Sequence, residues 1–361
     1  MTTVPMSPAP TRTAVSQGVC STYTLTAMAI HQAGHEAISL TAAQLGLVTD
    51  SVHSRARIRK IERRRLSREL AAGRIVIVAG FQGIDSAGEI TTLGRGASDT
   101  TAAALASVLE ADVCEIYTDV DGVYTADPRL VPNARKIDSI SYDEMLELAS
   151  AGAGVLHGRA IEFAMRFNVP MHVRSALTDA SGTMITQEQE SMEAVAVRGA
   201  VLRDKLATVS LIGVPNRTGM AARIFSALAD KGIVVDDIIQ NNDAGGQRAG
   251  ISFVVDGEDA LIAREVSAQL AREWGFESVE LRENVAKVSA VGVGMRSHAG
   301  VAATMFEALC GGDIGIHAIS TSEIVISCIV SAADGQRAVR AVHDAFNLAA
   351  EPNGSSNAGG A

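Results

Sequence analysis

The first half of the chain alternates between short apolar runs and stretches in which apolar residues recur at helical spacing. The runs predict buried strands at 74–83, at 114–124 together with its turn, and at 171–176. The helical stretches lie at 16–33, 55–72, 99–110, 141–151 and 157–168. Ser98 or Asp99 is expected to cap the helix at 99–110. Alternation of this kind predicts an α/β fold in which helices cover both faces of a sheet.

The second half contains an internal repeat. One copy, "ATVSLIGVPNRTGMAARIFSALADKGIVVDDIIQ", begins at Ala207, and the other, "AKVSAVGVGMRSHAGVAATMFEALCGGDIGIHAIS", begins at Ala286. Each copy predicts a βαββαβ unit of the ferredoxin-like type. The predicted ranges are an α/β domain at 16–195, repeats at 205–278 and 284–350, and disordered ends at 1–15 and 351–361.

Composition and charge argue against several kinds of partner and site. The formal net charge of −10 argues against a nucleic-acid or anionic-membrane partner, and aromatics at 4% argue against base-stacking surfaces. No apolar run approaches the ~18 residues that span a bilayer, and the N-terminus has no secretory signal pattern. The four cysteines occur singly, without the CxxC spacing of a zinc site, so no metal ligands are expected. A cytoplasmic, reduced protein is the simplest interpretation.

The stretch "TTLGRGASDTTAAALA" (91–106) has the pattern of a phosphate-binding loop. Small residues lead directly into a helix, whose first N–H groups attract anions. Arg95 is a candidate to pair with a carboxylate or phosphate, and Ser98 borders the same loop. Asp99 is a candidate to orient an ammonium group or a magnesium-bound water. A structural turn is the alternative, and the flanking motifs favour phosphate binding.

Several motifs, in order, resemble aspartate kinase. They are "TDSVHSRARI" (49–58), the 91–106 stretch, "YTDVDGVYTADPR" (117–129), "ISYDEMLELASAGAGVLH" (140–157) and "ISTSEIVIS" (319–327). The resemblance implies an amino-acid-kinase domain, a three-layer sandwich truncated at its N-terminus, followed by two ACT regulatory domains. It also implies ATP-dependent, Mg²⁺-dependent phosphorylation of L-aspartate to 4-phospho-L-aspartate, on the route to lysine, threonine and methionine. Lysine, threonine or both are the expected feedback inhibitors.

The resemblance also assigns site residues. By match, the nucleotide-binding candidates are Thr118, Asp119, Tyr124, Asp127, Arg129 and Lys136, although Lys136 has a solvated position as an equally good alternative. The effector-binding candidates in the first repeat are Asn216, Gly219, Ala221 and Gln240. Their counterparts in the second repeat, or alternatively dimer contacts, are Ser297, Gly300 and the stretch 320–323.

Within the predicted kinase domain, the chain departs from the family pattern at three points. The family's opening Lys-Phe-Gly-Gly motif, whose lysine neutralises phosphoryl charge, is absent, and no lysine precedes Lys60. Val19 stands where the family has the glutamate that binds aspartate, and Ala97 replaces a loop glycine. The alanine would strain the backbone if φ there had to be positive.

These departures leave two main functions open. The motifs favour an aspartate kinase, whereas the missing charge favours a catalytically degenerate regulatory chain that senses amino acids and assembles with a complete kinase. Another amino-acid or nucleotide kinase fits the motifs poorly. The expected partners are therefore further copies of the chain, joined through the ACT domains, or a complete kinase.

Overall fold

The computed structural model describes residues 14–17, 22–94, 96–187, 196–243, 245–296, 298 and 300–349, with the backbone alone at 14–17 and 296. Two predicted site residues, Arg95 and Ser297, lie outside the described residues. The ends predicted to be disordered also lie outside them, except for residues 14 and 15. The chain divides into a first unit (Met1–Thr125, Ala134–Ala194 and Ala350–Ala361) and a second unit (Ala126–Asn133 and Val195–Ala349).

The first unit alternates strands and helices, which confirms the predicted α/β class. Its strands are β1 (Ala14–Gln17), β2 (Ala37–Leu40), β3 (Val48–Thr49), β4 (Ile58–Lys60), β5 (Ile75–Ala79), β6 (Gln82–Ile84), β7 (Ile90–Thr92), β8 (Cys114–Thr118), β9 (Ser139–Ser141), β10 (Met171–Ser175) and β11 (Thr183–Thr186). Its helices are α1 (Thr22–Gln32), α2 (Ala42–Leu45), α3 (Arg63–Ala71), α4 (Ser98–Leu109), α5 (Tyr142–Ala151) and α6 (Gly158–Phe167). None of the helices in the described ranges is long and apolar enough to cross a membrane.

Strand β5 is the centre of a small parallel sheet with the order β1-β5-β2. The strand is a continuous apolar run, and its Val76, Ile77 and Val78 are fully buried, as expected when helices cover both faces. Leu105 and Leu109 of α4 pack in the same cluster as Val76 and Val78. Helix α4 is therefore fixed on the sheet, and the loop that precedes it starts from a rigid base.

Two predicted helices are too long. Residues 14–17 form β1, so the helix predicted at 16–33 begins only at Thr22. The predicted helix at 55–72 contains β4, and α3 begins only at Arg63. The reason lies in "RARIRK", where apolar Ala56 and Ile58 alternate with arginines at the period of a strand. Ala56 and Ile58 accordingly pack in one apolar cluster.

The second unit is one six-stranded sheet with helices from both repeats. Its strands are β12 (Gly199–Pro215), β13 (Asp236–Asn242), β14 (Arg248–Asp256), β15 (Ser278–Val291), β16 (Ile316–Thr321) and β17 (Val325–Ser331), and its helices are α7 (Met220–Ala229), α8 (Ala260–Trp274), α9 (Val301–Gly311) and α10 (Gly335–Ala345). The strand order is β13-β14-β12-β15-β17-β16. Both predicted repeats thus form α/β units of ferredoxin-like strand order.

The two long strands, β12 and β15, are shared between the repeats. The later part of β12, from Leu206, pairs with β14 and with the beginning of β15. The earlier part, at 199–203, pairs instead with residues 287–291 at the end of β15. The second repeat therefore takes one strand from residues that precede the first repeat in the chain. The predicted ranges 205–278 and 284–350 do not contain this strand.

Candidate active site

The predicted phosphate-binding loop turns sharply between β7 and α4. Gly94 and Gly96 have φ angles of 101° and 72°, in the left-handed region that other residues rarely adopt. A Cβ atom at Gly96 would also lie 3.2 Å from Cδ2 of His157. The backbone at position 96 therefore favours glycine, and a side chain there would crowd the His157 ring.

Helix α4 presents its first turn to this loop. Its N-cap is Ala97, which makes no side-chain hydrogen bond, so the prediction that Ser98 or Asp99 caps the helix is wrong. The first N–H groups of a helix lack intrahelical partners and carry the positive end of its dipole. The start of α4 can therefore bind an anion. Ala97 has a φ of −83°, so the expected backbone strain from this alanine does not occur.

Asp99 lies in the first turn of α4 beside the start of α6. Burial raises the pKa of its carboxyl group, and it outweighs the hydrogen bonds from the His157 backbone N–H and from Ser98, which lower that pKa. The neighbouring Thr100 is fully buried, and its hydroxyl has no hydrogen-bond partner among the described residues. A water or a ligand would satisfy a buried group of this kind.

Four of the predicted nucleotide-binding residues lie in the first unit. Thr118 ends β8 and donates a 3.1 Å hydrogen bond to Asp119. Tyr124 and Lys136 form an isolated backbone bridge, and Nζ of Lys136 donates to the Ser181 hydroxyl at 2.6 Å. Burial, helped by the charge of Asp121, raises the pKa of Tyr124. These residues follow the carboxyl end of β8, where open α/β sheets commonly bind ligands.

Asp127 and Arg129 lie in the segment Ala126–Asn133, which belongs to the second unit. Arg129 donates to both carboxylate oxygens of Asp127, at 2.7 and 3.0 Å, and this pairing lowers the pKa of Asp127. Nε of Arg340 in α10 donates to the carbonyl oxygen of Leu130 at 2.7 Å. The residues predicted as one nucleotide site are thus divided between the two units.

Sequence reasoning missed a charged cluster on β8 and β10. Buried Glu115 accepts hydrogen bonds from Arg174 at 3.1 Å and from the Tyr117 hydroxyl at 3.1 Å, and His172 lies 3.5 Å away. The hydrogen bond to Glu115 raises the pKa of Arg174. The strand register places Glu115 opposite His172 and Tyr117 opposite Arg174. The available signal is the alternation of polar residues in "CEIY" and "MHVR".

Two of the predicted effector residues in the first repeat, Gly219 and Ala221, lie at the start of α7. Gly219 is the N-cap of α7, with a φ of 90° and no capping side chain, and Ala221 lies in the first turn. Asn216 is not free, because its side-chain amide donates to the Gly246 carbonyl oxygen at 2.8 Å. Gln240 lies on β13, and strand alternation places it on the face opposite to Ile239.

The second repeat has a cavity at the corresponding place. Gly300 is the N-cap of α9 with a φ of 97°, and it lines a cavity of about 540 Å³. Thr321, Ser322 and Glu323 of the predicted stretch 320–323 line the same cavity. The remaining residue of that stretch, Ser320, instead donates to Asp237 at 2.7 Å.

Comparison with known proteins agrees with this architecture. Residues 6–175 match the amino acid kinase family, and 208–275 and 288–346 match ACT domains. The chain is 47% identical to an aspartokinase of Pseudomonas aeruginosa over 336 residues, and 47% identical to aspartokinase 2 of Bacillus subtilis over 332 residues. In both cases the similarity covers 92% of this chain and 81% of the relative.

Solved structures give the same result. The fold is similar to E. coli aspartokinase III in complex with aspartate and ADP in the R-state, with a TM-score of 0.77 and 28% identity over 90% of this chain and 72% of that one. The T-state of the same enzyme, in complex with lysine and aspartate, has a TM-score of 0.70 at 28% identity, with the same coverage. The motifs, the two repeats and the extent of these similarities agree, and the chain belongs to the aspartate kinase family.

Proposed function

We propose that the chain transfers the terminal phosphoryl group of ATP to the side-chain carboxylate of L-aspartate. A carboxylate oxygen attacks the γ-phosphorus, the bond from that phosphorus to the β–γ bridging oxygen breaks, and ADP and 4-phospho-L-aspartate leave. The observation that carries the proposal is the loop at Gly94 and Gly96, whose positive φ angles lead into a helix start without a capping side chain.

For this reaction the protein mainly has to position the two substrates and to stabilise the charge on the phosphoryl oxygens. The N–H groups at the start of α4 donate to those oxygens, and Arg95 pairs with an anionic group of a substrate. Ser98 and Asp99 orient L-aspartate, with the Asp99 carboxylate toward the substrate ammonium. Removal of one such electrostatic contact typically costs ~10²–10³ in rate.

The nucleotide is held by the residues assigned from the family pattern, namely Thr118, Asp119, Tyr124, Asp127, Arg129 and Lys136. The described residues contain no group of three or more His, Cys, Asp or Glu side chains that could hold a metal ion. Mg²⁺ bound with a nucleotide needs only one or two carboxylates beside phosphate oxygens and waters. Asp119 would supply such a carboxylate, and the ion would neutralise phosphate charge.

Regulation by lysine, threonine or both belongs to the same proposal. Asn216, Gly219, Ala221 and Gln240 would contact the effector, whose carboxylate fits the N–H groups at the start of α7. The structure of the E. coli relative in complex with lysine supports lysine as an effector. Assembly through the second unit is proposed because β13 and β16 are sheet edges that carry exposed Ile238 and Ile319.

The test is aspartyl-phosphate formation from ATP, Mg²⁺ and L-aspartate by the purified chain, by Gly96→Ala and by Gly73→Ala. Gly73 has nearly the same φ, 74°, but no atom lies within 4 Å of a Cβ placed there. We expect turnover by the wild type and by Gly73→Ala. Gly96→Ala should lose about tenfold to a hundredfold in kcat/KM, because the loop must move away from His157.

The alternative function gives a different result in the same experiment. A regulatory chain would show no turnover with ATP and L-aspartate, yet would release heat on titration with lysine or threonine. That outcome would contradict the proposed kinase activity and support the regulatory function. An absence of heat with either amino acid would contradict the proposed effector site.

A further inference from the structure

We propose that Arg159 is a positioning residue for phosphoryl transfer. Its guanidinium group connects the loop at 53–57 and the residue before Gly94 to the start of α6, and so holds the phosphate-binding loop in its working geometry. The inference rests on the proposed function of the second of these loops. Neither the motifs nor the family assignment above gives Arg159 a role.

The two hydrogen bonds of Arg159 reach backbone far away in sequence. Nη1 donates to the carbonyl oxygen of Leu93 at 2.6 Å, and Nη2 donates to that of Ala56 at 3.0 Å. Leu93 immediately precedes Gly94, the first glycine of the phosphate-binding loop. The rigid fork of a guanidinium can serve two separate acceptors at once, which the single ammonium group of lysine does less well.

The loops that Arg159 bridges are also joined to each other. The Ala56 N–H donates to the Thr92 carbonyl oxygen at 2.9 Å, and the Thr92 N–H donates to the His53 carbonyl oxygen at 2.9 Å. Ala56, Leu93 and Ala97 form one apolar cluster with at most 1% exposure. Movement of either loop would therefore be transmitted to the N-cap of α4, which is Ala97.

The start of α6 touches the phosphate-binding loop at further points. The His157 ring lies against Gly96, and the His157 N–H donates to the Asp99 carboxylate. The ring also caps α6 by accepting from the Arg159 N–H at 3.3 Å. Helix α6 is itself held in the core by fully buried Ala160 and Ile161. Arg159 thus connects a rigid helix to a loop that must be accurately placed.

Phosphoryl transfer is sensitive to such placement, since a shift of ~1 Å can cost ~10² in rate. Arg159→Met keeps the apolar stem but removes both donors, so we expect kcat to fall about a hundredfold. Arg159→Lys keeps the charge and should fall between Arg159→Met and the wild type. Arg166→Met is the matched control, because Arg166 is an exposed residue near the C-terminal end of the same helix, stacked on Phe167.

Three measurements on the full chain test the proposal. The first is kcat, with separate KM values for ATP and L-aspartate. The second is rescue of Arg159→Ala by added guanidinium, which a purely structural loss would not show. The third is amide hydrogen exchange over 53–58 and 90–97, which should rise roughly tenfold in Arg159→Met while exchange over β5 stays unchanged.

The outcomes are distinguishable. An unchanged kcat in Arg159→Met, or unchanged exchange in both loops, would overturn the positioning role. A fall in activity without guanidinium rescue, accompanied by faster exchange over β5, would show a general loss of stability instead. If the wild type itself has no turnover, the proposed function fails, and the exchange measurement still decides whether Arg159 holds the two loops.

Discussion

The two repeats of the second unit share strand order and helix starts, yet they differ on the sheet face away from their helices. Thr208 of the first repeat corresponds to Lys287 of the second. Thr208 lines an open cavity of about 870 Å³, and its hydroxyl has no partner among the described residues. Lys287 is buried, and its Nζ lies 2.5 Å from Asp236 and 3.1 Å from Asp237.

The partners of Lys287 explain what this difference does. Asp236 and Asp237 belong to β13 of the first repeat, so Lys287 joins the two repeats. Ser320, on β16, donates to Asp237 from the same side. The corresponding positions therefore differ in their surroundings: Thr208 borders a cavity, whereas Lys287 is paired with two carboxylates of the other repeat.

The largest expected effect comes from breaking this cluster. Lys287→Met should reduce the free energy of unfolding of the second unit by about 3 kcal/mol, because the largely shielded Asp237 carboxylate, 14% exposed, loses its charged partner. This value is the low end of the ~3–5 kcal/mol expected for breaking a buried ion pair. The reason is that Asp236 is 41% exposed and keeps its ion pair with Arg203. Urea unfolding followed by circular dichroism measures it.

Thr208→Val is the matched control at the corresponding position of the first repeat. It removes a hydroxyl without a partner, so it should be neutral or slightly stabilising. Equal destabilisation by the two variants would mean that the ion cluster does not distinguish the repeats.

The next effect concerns the two helix-start glycines. Gly219 and Gly300 have similar positive φ angles, and nothing lies within 4 Å of a Cβ at either position. Alanine therefore costs only backbone strain, ~1–2 kcal/mol. Gly219→Ala should weaken binding of the effector, lysine or threonine, about tenfold by calorimetry, while Gly300→Ala leaves it unchanged. If Gly300→Ala weakened binding and Gly219→Ala did not, the effector site would instead be the cavity beside Gly300.

The smallest expected effect is a dependence of stability on acid pH. Burial alone would raise the pKa of Asp236, but the hydrogen bond and charge of Lys287 hold it below the ordinary value of 3.8. The stability from this lowered pKa is present above the unfolded value and is lost as pH falls through the folded one. Urea midpoints from about pH 5 to pH 3 should therefore fall more steeply in the wild type than in Lys287→Met. Parallel slopes would contradict this assignment.

Several elements were predictable because their signals are local. The helices at 141–151 and 157–168 have one clear apolar period each, and the structure has helices there. The run at 74–83 contains β5, which ends earlier than predicted, at Ala79. The helix predicted at 55–72 was wrong in its first part, because Ala56 and Ile58 fit either period over so short a stretch. Both residues pack in the cluster that contains Leu93, and the chain forms β4 from Ile58 onward.

The candidate site likewise has a part that the sequence predicted and a part that only the structure revealed. The residue types of the loop at Gly94 and Gly96 predicted its location, since positive φ angles and a following helix leave a readable pattern. The role of Arg159 left none, because its acceptors lie 66 and 103 residues away and are backbone oxygens, which any residue type supplies.

The residue pattern alone was sufficient for the family, the two repeats, the glycine loop before α4 and the order of most elements. These follow from spacing and residue type within short windows, where helix and strand periods act directly. Folding in three dimensions settled which strand completes the second repeat, which carboxylates surround Lys287, and which side chain braces the loop before α4. Such pairings depend on which distant surfaces meet, and the energy of the packed whole selects them.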